Sequence, residues 1–205
     1  MDILIVGAGN MARGIGTRLL AGGHPVHIAA PDVQAAQALA ADLDGDATGH
    51  LLSGPADAGI VILAVPYPVN VTLATEWADE LADRIVVDIA NPVDFTSMDA
   101  LVTAPGQSSA EEVANAAPSA RVVKAFNTTF AKSLTQVEPL DVFIAGDDAS
   151  ARQTIARLAH DGGMRAIQVG HLKHARELEG FQLLHMMVQD QINGGFASRL
   201  TFDNG

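Results

Sequence analysis

The chain has 205 residues, 48% of them hydrophobic, which suits one globular domain or a main domain with a small appendage. Its 24 acidic and 12 basic side chains leave a net charge of −12, a surface that repels phosphate backbones and argues against nucleic-acid binding. With no cysteine there are no disulfides, thiol nucleophiles or thiolate metal sites, and no apolar run approaches the roughly 20 residues that span a bilayer. An acidic, lysine-poor surface fits a soluble cytoplasmic protein.

The first predicted strand, Asp2–Val6, is an apolar run that falls directly into Gly7-Ala8-Gly9-Asn10-Met11-Ala12-Arg13-Gly14. It begins at Asp2, so no targeting segment is expected ahead of it. The glycines open a helix over Met11–Leu20, and Gly22-Gly23 ends it. A strand over Pro25–Ala29 and a helix over Val33–Asp42 follow. Next come a strand over Ile60–Val65, a helix over Tyr67–Leu81 and a strand over Arg84–Asp88. Thr96–Ser108 reads as a polar loop, with Ser108 or Ser109 as cap of a helix over Ala110–Ala116. Strands over Arg121–Ala125 and Val142–Ala145, a helix over Ala149–Asp161 and a strand over Arg165–Gln168 complete the alternation. Leu178–Ile192 carries Leu178, Phe181, Leu184, Met187 and Val188 near helical spacing, a helix packed on the fold or on a second subunit.

Strands apolar on both faces and separated by helices imply a parallel sheet with crossovers. Right-handed crossovers make it a doubly wound, Rossmann-type α/β fold with a small C-terminal helical appendage. We expect a dinucleotide-binding domain over residues 1–145 and a small α/β segment over 146–205 that completes the cleft.

A strand, a glycine turn and a helix start hold a dinucleotide pyrophosphate on backbone N–H groups. Gly7 allows the tight turn, Gly9 lets the pyrophosphate approach, and small Ala12 permits close helix–strand packing. The end of the second strand reads the ribose, where a carboxylate favours NAD and a basic residue NADP. Here Asp32 is the charged candidate in Ala29-Ala30-Pro31-Asp32-Val33, and its rival role is N-cap of the next helix. Arg13 is a candidate near phosphate or a solvated surface residue.

Asn91-Pro92 fixes a loop shape, because proline restricts the residue before it. Asn91 can hydrogen-bond a nicotinamide carboxamide or cap a turn, and Asn127 at a strand end has the same two roles open. Among proton donors, His171, His174 and His185 are candidates, with solvated or packed histidines the plainer reading. A metal at His171 and His174 lacks an evident third ligand, so no metal is expected. Asp147-Asp148 reads better as a helix N-cap than as a metal pair. Gly194-Gly195-Phe196 reads as a close-packing turn that lines the cleft.

Further landmarks are Leu63-Ala64-Val65-Pro66, Val87-Asp88-Ile89-Ala90-Asn91-Pro92, Ser108-Ser109-Ala110-Glu111-Glu112, Val122-Val123-Lys124-Ala125-Phe126-Asn127-Thr128 and Ala145-Gly146-Asp147-Asp148. In this order and spacing the chain resembles the coenzyme F420-dependent NADP oxidoreductases over nearly its whole length. The resemblance implies a Rossmann domain, a small C-terminal segment and a homodimer. It also implies hydride transfer between nicotinamide and the deazaflavin coenzyme F420. Carried over, Gly7, Gly9, Asn10 and Met11 match the pyrophosphate turn. Ala64, Val65 and Pro66 match the loop on the adenosine-ribose and diphosphate side, and Asn91 and Pro92 the loop near the nicotinamide. Asn127 and Thr128 fall on the cleft side. One departure is clear: Ala30-Pro31 stand where many members carry a polar-basic pair that grips the NADP phosphate, so NADP and NAD both stay open as cofactors.

Hydride transfer between two bound cofactors needs little from side chains beyond alignment and exclusion of water. His171 and Asn127 are the catalytic candidates. The other readings are a reductase of a small imine or carbonyl, which needs a proton donor, and a non-catalytic dinucleotide sensor.

Overall fold

The computed structural model describes residues 2–55, 57–136 and 139–202. The first half contains β1 (Ile3–Val6), α1 (Asn10–Ala21), β2 (Val26–Ala30), α2 (Val33–Asp42), β3 (Ala47–Leu51), β4 (Ile60–Leu63), α3 (Tyr67–Glu76) and β5 (Ile85–Asp88). The second contains α4 (Ser109–Ala116), β6 (Arg121–Lys124), α5 (Ala131–Leu134), β7 (Asp141–Gly146), α6 (Ala149–Asp161) and β8 (Arg165–Gly170). A 3-10 turn, Leu172–His174, leads into α7 (Ala175–Met187).

The eight strands form one sheet in the order β3-β2-β1-β4-β5-β6-β7-β8. The pairs run parallel except β6 with β7, which are antiparallel. The alternation of side chains explains the two-sided burial. Ile3 and Ile5 enter one apolar cluster with Ile15, Leu19 and Ile155, on the side of α1 and α6. Leu4 and Val6 enter the other with Leu73, Trp77 and Val113, on the side of α3 and α4. A strand that feeds both clusters must be apolar at every position, as Ile3-Leu4-Ile5-Val6 is. The doubly wound fold expected from the pattern is the fold observed.

Several elements depart from the expected bounds. The edge strand β3 was not expected: Ala47-Thr48-Gly49-His50-Leu51 lacks an apolar run because its residues are all exposed or half-buried. A short edge strand has little to bury and so little signal. Gly49 is needed there, since an added Cβ would lie 2.5 Å from the backbone of Gln37 on α2. The parallel direction expected throughout fails at β6–β7, where only the four-residue α5 intervenes and the usual crossover helix is missing. Helix α3 stops at Glu76, not Leu81; Trp77 and Leu81 are buried from the turns that follow it. Helix α7 starts and ends earlier than Leu178–Ile192.

Candidate cofactor site

In an open α/β sheet the ligand crevice lies beyond the carboxyl ends of the strands, where the strand order reverses. Here the reversal falls between β1 and β4, which both pair in register with a neighbour on either side. A cleft of about 540 Å³ opens at that edge.

The turn after β1 forms its floor. Gly7 takes φ +113, and a Cβ on it would meet the Ala64 carbonyl oxygen at 2.4 Å. Its N–H donates to the Ala29 carbonyl at 2.8 Å, which ties the turn to β2. Gly7 therefore shapes the turn from behind and does not line the cleft. Gly9, Asn10 and Met11 do line it. Gly9 is the N-cap of α1, no side chain caps the helix, and its first turn has no acidic residue. Nothing lies within 4 Å of the Cβ position at Gly9. An uncapped helix N-terminus behind open space presents free N–H groups and a partial positive charge to an anion. Ala12 is buried as expected, while the closest helix packing falls at Gly14, whose Cβ would sit 2.7 Å from Leu134 on α5.

Two further strand ends supply the walls. Ala64, Val65 and Pro66 follow β4, and Asn91 and Pro92 follow β5. The chain after β6 brings Asn127 to the same cleft. Asn127 Nδ2 donates to Asn91 Oδ1 at 3.0 Å, and Asn91 Nδ2 donates to the Asn127 carbonyl at 2.8 Å. Asn127 Oδ1 is buried with no hydrogen-bond partner, an acceptor left for a donor that these residues do not supply. The turn depends on Phe126, which holds φ 61 while 1% exposed; the Thr129 hydroxyl donates to its carbonyl at 2.7 Å. A buried non-glycine residue in the left-handed region is unusual and needs such local support.

Asp32 is exposed and caps α2, accepting from the Gln34 N–H at 2.9 Å. Arg13 pairs with Asp42 at 2.9 Å. His171 is not brought to this cleft. It is 72% exposed, lies 3.2 Å from Asp147, and borders a separate groove beside Glu111 and Arg176. His174 lies 3.4 Å from Glu177. His185 is buried against Phe130, with Nε2 2.8 Å from the Ser198 hydroxyl; its burial lowers its affinity for a proton. Phe196 packs on Phe130 as well, at 5.3 Å between ring centres, so the Gly194-Gly195-Phe196 turn closes that cluster and not the cleft. Asp148 is an N-cap, accepting from Ala151 N–H at 2.6 Å, and Asp147 accepts from Leu172 N–H at 3.1 Å. Among the described residues no three His, Asp or Glu side chains come together as a metal site.

Residue-by-residue reading missed Tyr67 and Met186, which also line the cleft. The Tyr67 hydroxyl donates to Glu112 Oε2 at 2.5 Å. Burial, with Glu112 beside it, pushes the Tyr67 phenol up to about 12. Nothing local marked either residue, since each reaches the cleft by packing between elements.

An uncapped glycine turn at the reversal point of a doubly wound sheet defines a Rossmann-type dinucleotide-binding fold. The model of the family NADP oxidoreductase coenzyme F420-dependent matches residues 2–92. The F420-dependent NADP reductase of Methanothermobacter thermautotrophicus is 29% identical over 212 residues, covering 94% of this chain and 91% of its own. Metalloreductase STEAP3 of Rattus norvegicus is 31% identical over 184 residues; the match covers 87% of this chain and 36% of that protein, so the chain spans about a third of its length. A solved Arthrobacter structure assigned to the F420-dependent NADP-reductases superposes with a TM-score of 0.79 at 26% identity, covering 93% of this chain and 94% of that one. Among the described residues no helix is long and apolar enough to cross a membrane.

Proposed function

We propose that the chain is an NAD(P)-dependent oxidoreductase that passes hydride between a nicotinamide dinucleotide and a deazaflavin of the coenzyme F420 type. The observation that carries this reading is convergence. Gly9–Met11, Ala64–Pro66, Asn91-Pro92 and Asn127 come from four strand ends and line one cleft. In this reading the α1 N-terminus holds the pyrophosphate, and Ala64–Pro66 pass the ribose side. Asn91 and Asn127 face the nicotinamide, where the buried Asn127 Oδ1 accepts from a carboxamide. The bound dinucleotide supplies the hydride. The protein supplies alignment and a dry wall, formed by Ile89, Pro92, Val93 and Met186.

The relatives' names support the deazaflavin as acceptor. Among the described lining residues there is no histidine, and the Tyr67 hydroxyl is already donated to Glu112, which disfavours a reaction that needs a proton donor there. The test mixes the protein with NADPH, or separately NADH, and oxidised deazaflavin, and follows loss of the visible absorbance. Turnover with one donor assigns activity and preference together. Binding of either dinucleotide without turnover rejects the deazaflavin and shifts the acceptor to a flavin or small substrate. A cytoplasmic homodimer is part of the same proposal. Phe181, Leu184 and Met187 on α7 stay 43%, 59% and 43% exposed, an apolar stripe of the kind that a second copy covers.

A further inference from the structure

A buried charge network lies directly behind the cleft wall. Lys124 on β6, Asp88 at the end of β5 and Glu179 on α7 are all 0% exposed. The Lys124 ammonium donates to Asp88 Oδ2 at 2.9 Å, to Glu179 Oε1 at 2.6 Å and to the Ala90 carbonyl at 2.5 Å. All of its protons are thereby used. Asp88 Oδ1 accepts from the Ala90 N–H at 2.9 Å and from Asn70 Nδ2 at 2.5 Å. Glu179 Oε2 accepts from the N–H of Ser109, the first residue of α4, at 3.2 Å.

Burying three ionisable groups is costly, and apolar side chains of similar volume would often serve stability as well or better. The geometry gives the network another use. Ala90 is gripped on both sides of its backbone, through its N–H by Asp88 and through its carbonyl by Lys124. Ala90 is the residue before Asn91-Pro92, so this grip sets where Asn91 stands. Glu179 carries the same tie to α7, which two turns later places Met186 on the cleft.

We propose that Lys124 and Glu179 are positioning residues: they lock the Ile89–Pro92 loop and α7 to one point, so that Asn91 and Met186 meet the nicotinamide end of the bound dinucleotide in register. This rests on reading the cleft as the dinucleotide site. It makes a demand that a general stabilising role does not, because only the nicotinamide half of the ligand should sense the network.

The experiment measures dissociation constants for four ligands: NADPH, NADH, and the nicotinamide-free fragments 2′-phospho-ADP-ribose and ADP-ribose. The dinucleotide that the wild-type chain binds more tightly is compared with its own fragment. Glu179→Gln keeps the side-chain shape but leaves one acceptor where two are used, so either Lys124 or Ser109 N–H loses its partner. Its dinucleotide affinity should fall about tenfold, the scale of one lost hydrogen bond to a charged group, with the fragment changed less than about twofold. Leu178→Ala is the control on the same helix. Leu178 is buried in an apolar cluster with Phe143 and Ala145 and makes none of the network's hydrogen bonds. It should lower the melting temperature and leave both affinities within about twofold. A Glu179→Gln effect equal on both ligands or absent from both, or the same split in Leu178→Ala, overturns the proposal.

If Glu179→Gln does not fold, Asn70→Ala takes its place. It removes a neutral partner of Asp88 and should give the same split at about threefold; no split overturns the proposal. A wild-type chain that binds none of the ligands overturns the cleft reading and this proposal with it. Binding without turnover overturns only the choice of acceptor, and the affinity comparison still decides.

Discussion

Asp32 carries two assignments at once. Its carboxylate caps α2 through the Gln34 N–H, yet it stays exposed at the end of β2, where the ribose of a dinucleotide is read. The two roles are compatible, because one carboxylate offers several acceptor sites. No arginine or lysine stands in Ala29-Ala30-Pro31-Asp32-Val33 to grip a 2′-phosphate, and the nearby Arg13 is paired with Asp42. Asp32→Arg should therefore raise NADPH affinity relative to NADH, at a cost of about 1 kcal/mol in stability from the lost cap. An unchanged ratio of the two dissociation constants would remove Asp32 from the ribose site. The capping role of Asp32 was legible in the sequence because a cap is local. Asn127 was legible as a strand-end residue able to meet a carboxamide, on the cleft side by resemblance; its unpartnered oxygen and its pairing with Asn91, 36 positions away, came from the fold.

Helix α4 shows how one short element is anchored twice. Ser108 is its N-cap and forms a full capping box: Glu111 N–H donates to Ser108 Oγ at 3.2 Å, and Ser108 N–H donates back to Glu111 Oε2 at 3.0 Å. The same carboxylate takes a two-pronged bond from Arg176 on α7, at 2.8 and 2.5 Å. Burial opposes the charge on Glu111, but Arg176 and Ser108 outweigh it and hold the carboxyl below the usual range. The sequence left Ser108 and Ser109 both open as the cap, since each has a glutamate three residues on; the fold selected Ser108, and the Arg176 arm likewise required α7 to be placed. Ser108→Ala should cost about 1 kcal/mol in chemical denaturation, with the transition slope unchanged. A loss within error would mean that Arg176 holds the helix start unaided.

The network that joins α7 to the sheet also sets a pH dependence for the whole molecule. Burial pushes Glu179 up to about 7 from an ordinary 4.5, against the pull of Lys124 and with Asp88 adding to the rise. Tyr67 and the Ser109 N–H are its other neighbours. Between those two values the folded chain holds a proton that the unfolded chain has released, so this group's contribution falls as pH rises from about 4.5 to 7. Asp141, which burial would raise but Arg165 holds low, acts in the opposite sense and loses its contribution as pH falls. Subtraction of the Glu179→Gln curve isolates the first effect. Wild-type stability relative to that variant should decline across the window and level off above it; a rising difference would refute the assignment. Light scattering at micromolar concentration should return twice the 21.3 kDa chain mass if the α7 stripe is a dimer surface. A Leu184→Asp substitution should then halve that mass, and a wild-type monomer would withdraw the proposal.

The sequence by itself determined the layers and the turn. Ile3 and Ile5 against Leu4 and Val6 encode a strand covered on both faces, Gly7 encodes a tight turn, and Asp32, Asp148 and one of Ser108 and Ser109 encode helix starts. Each is a local rule, satisfied within a few residues. The tertiary structure alone decided the rest. It added the edge strand β3, whose exposed residues leave no apolar pattern, and reversed β7 against β6. It carried His171 away from the cleft and brought Tyr67 and Met186 into it. Lys124 meets Asp88 across 36 residues and Glu179 across 55. Which buried charges find partners depends on strand order and helix placement, quantities that belong to the packed chain and to no segment of it.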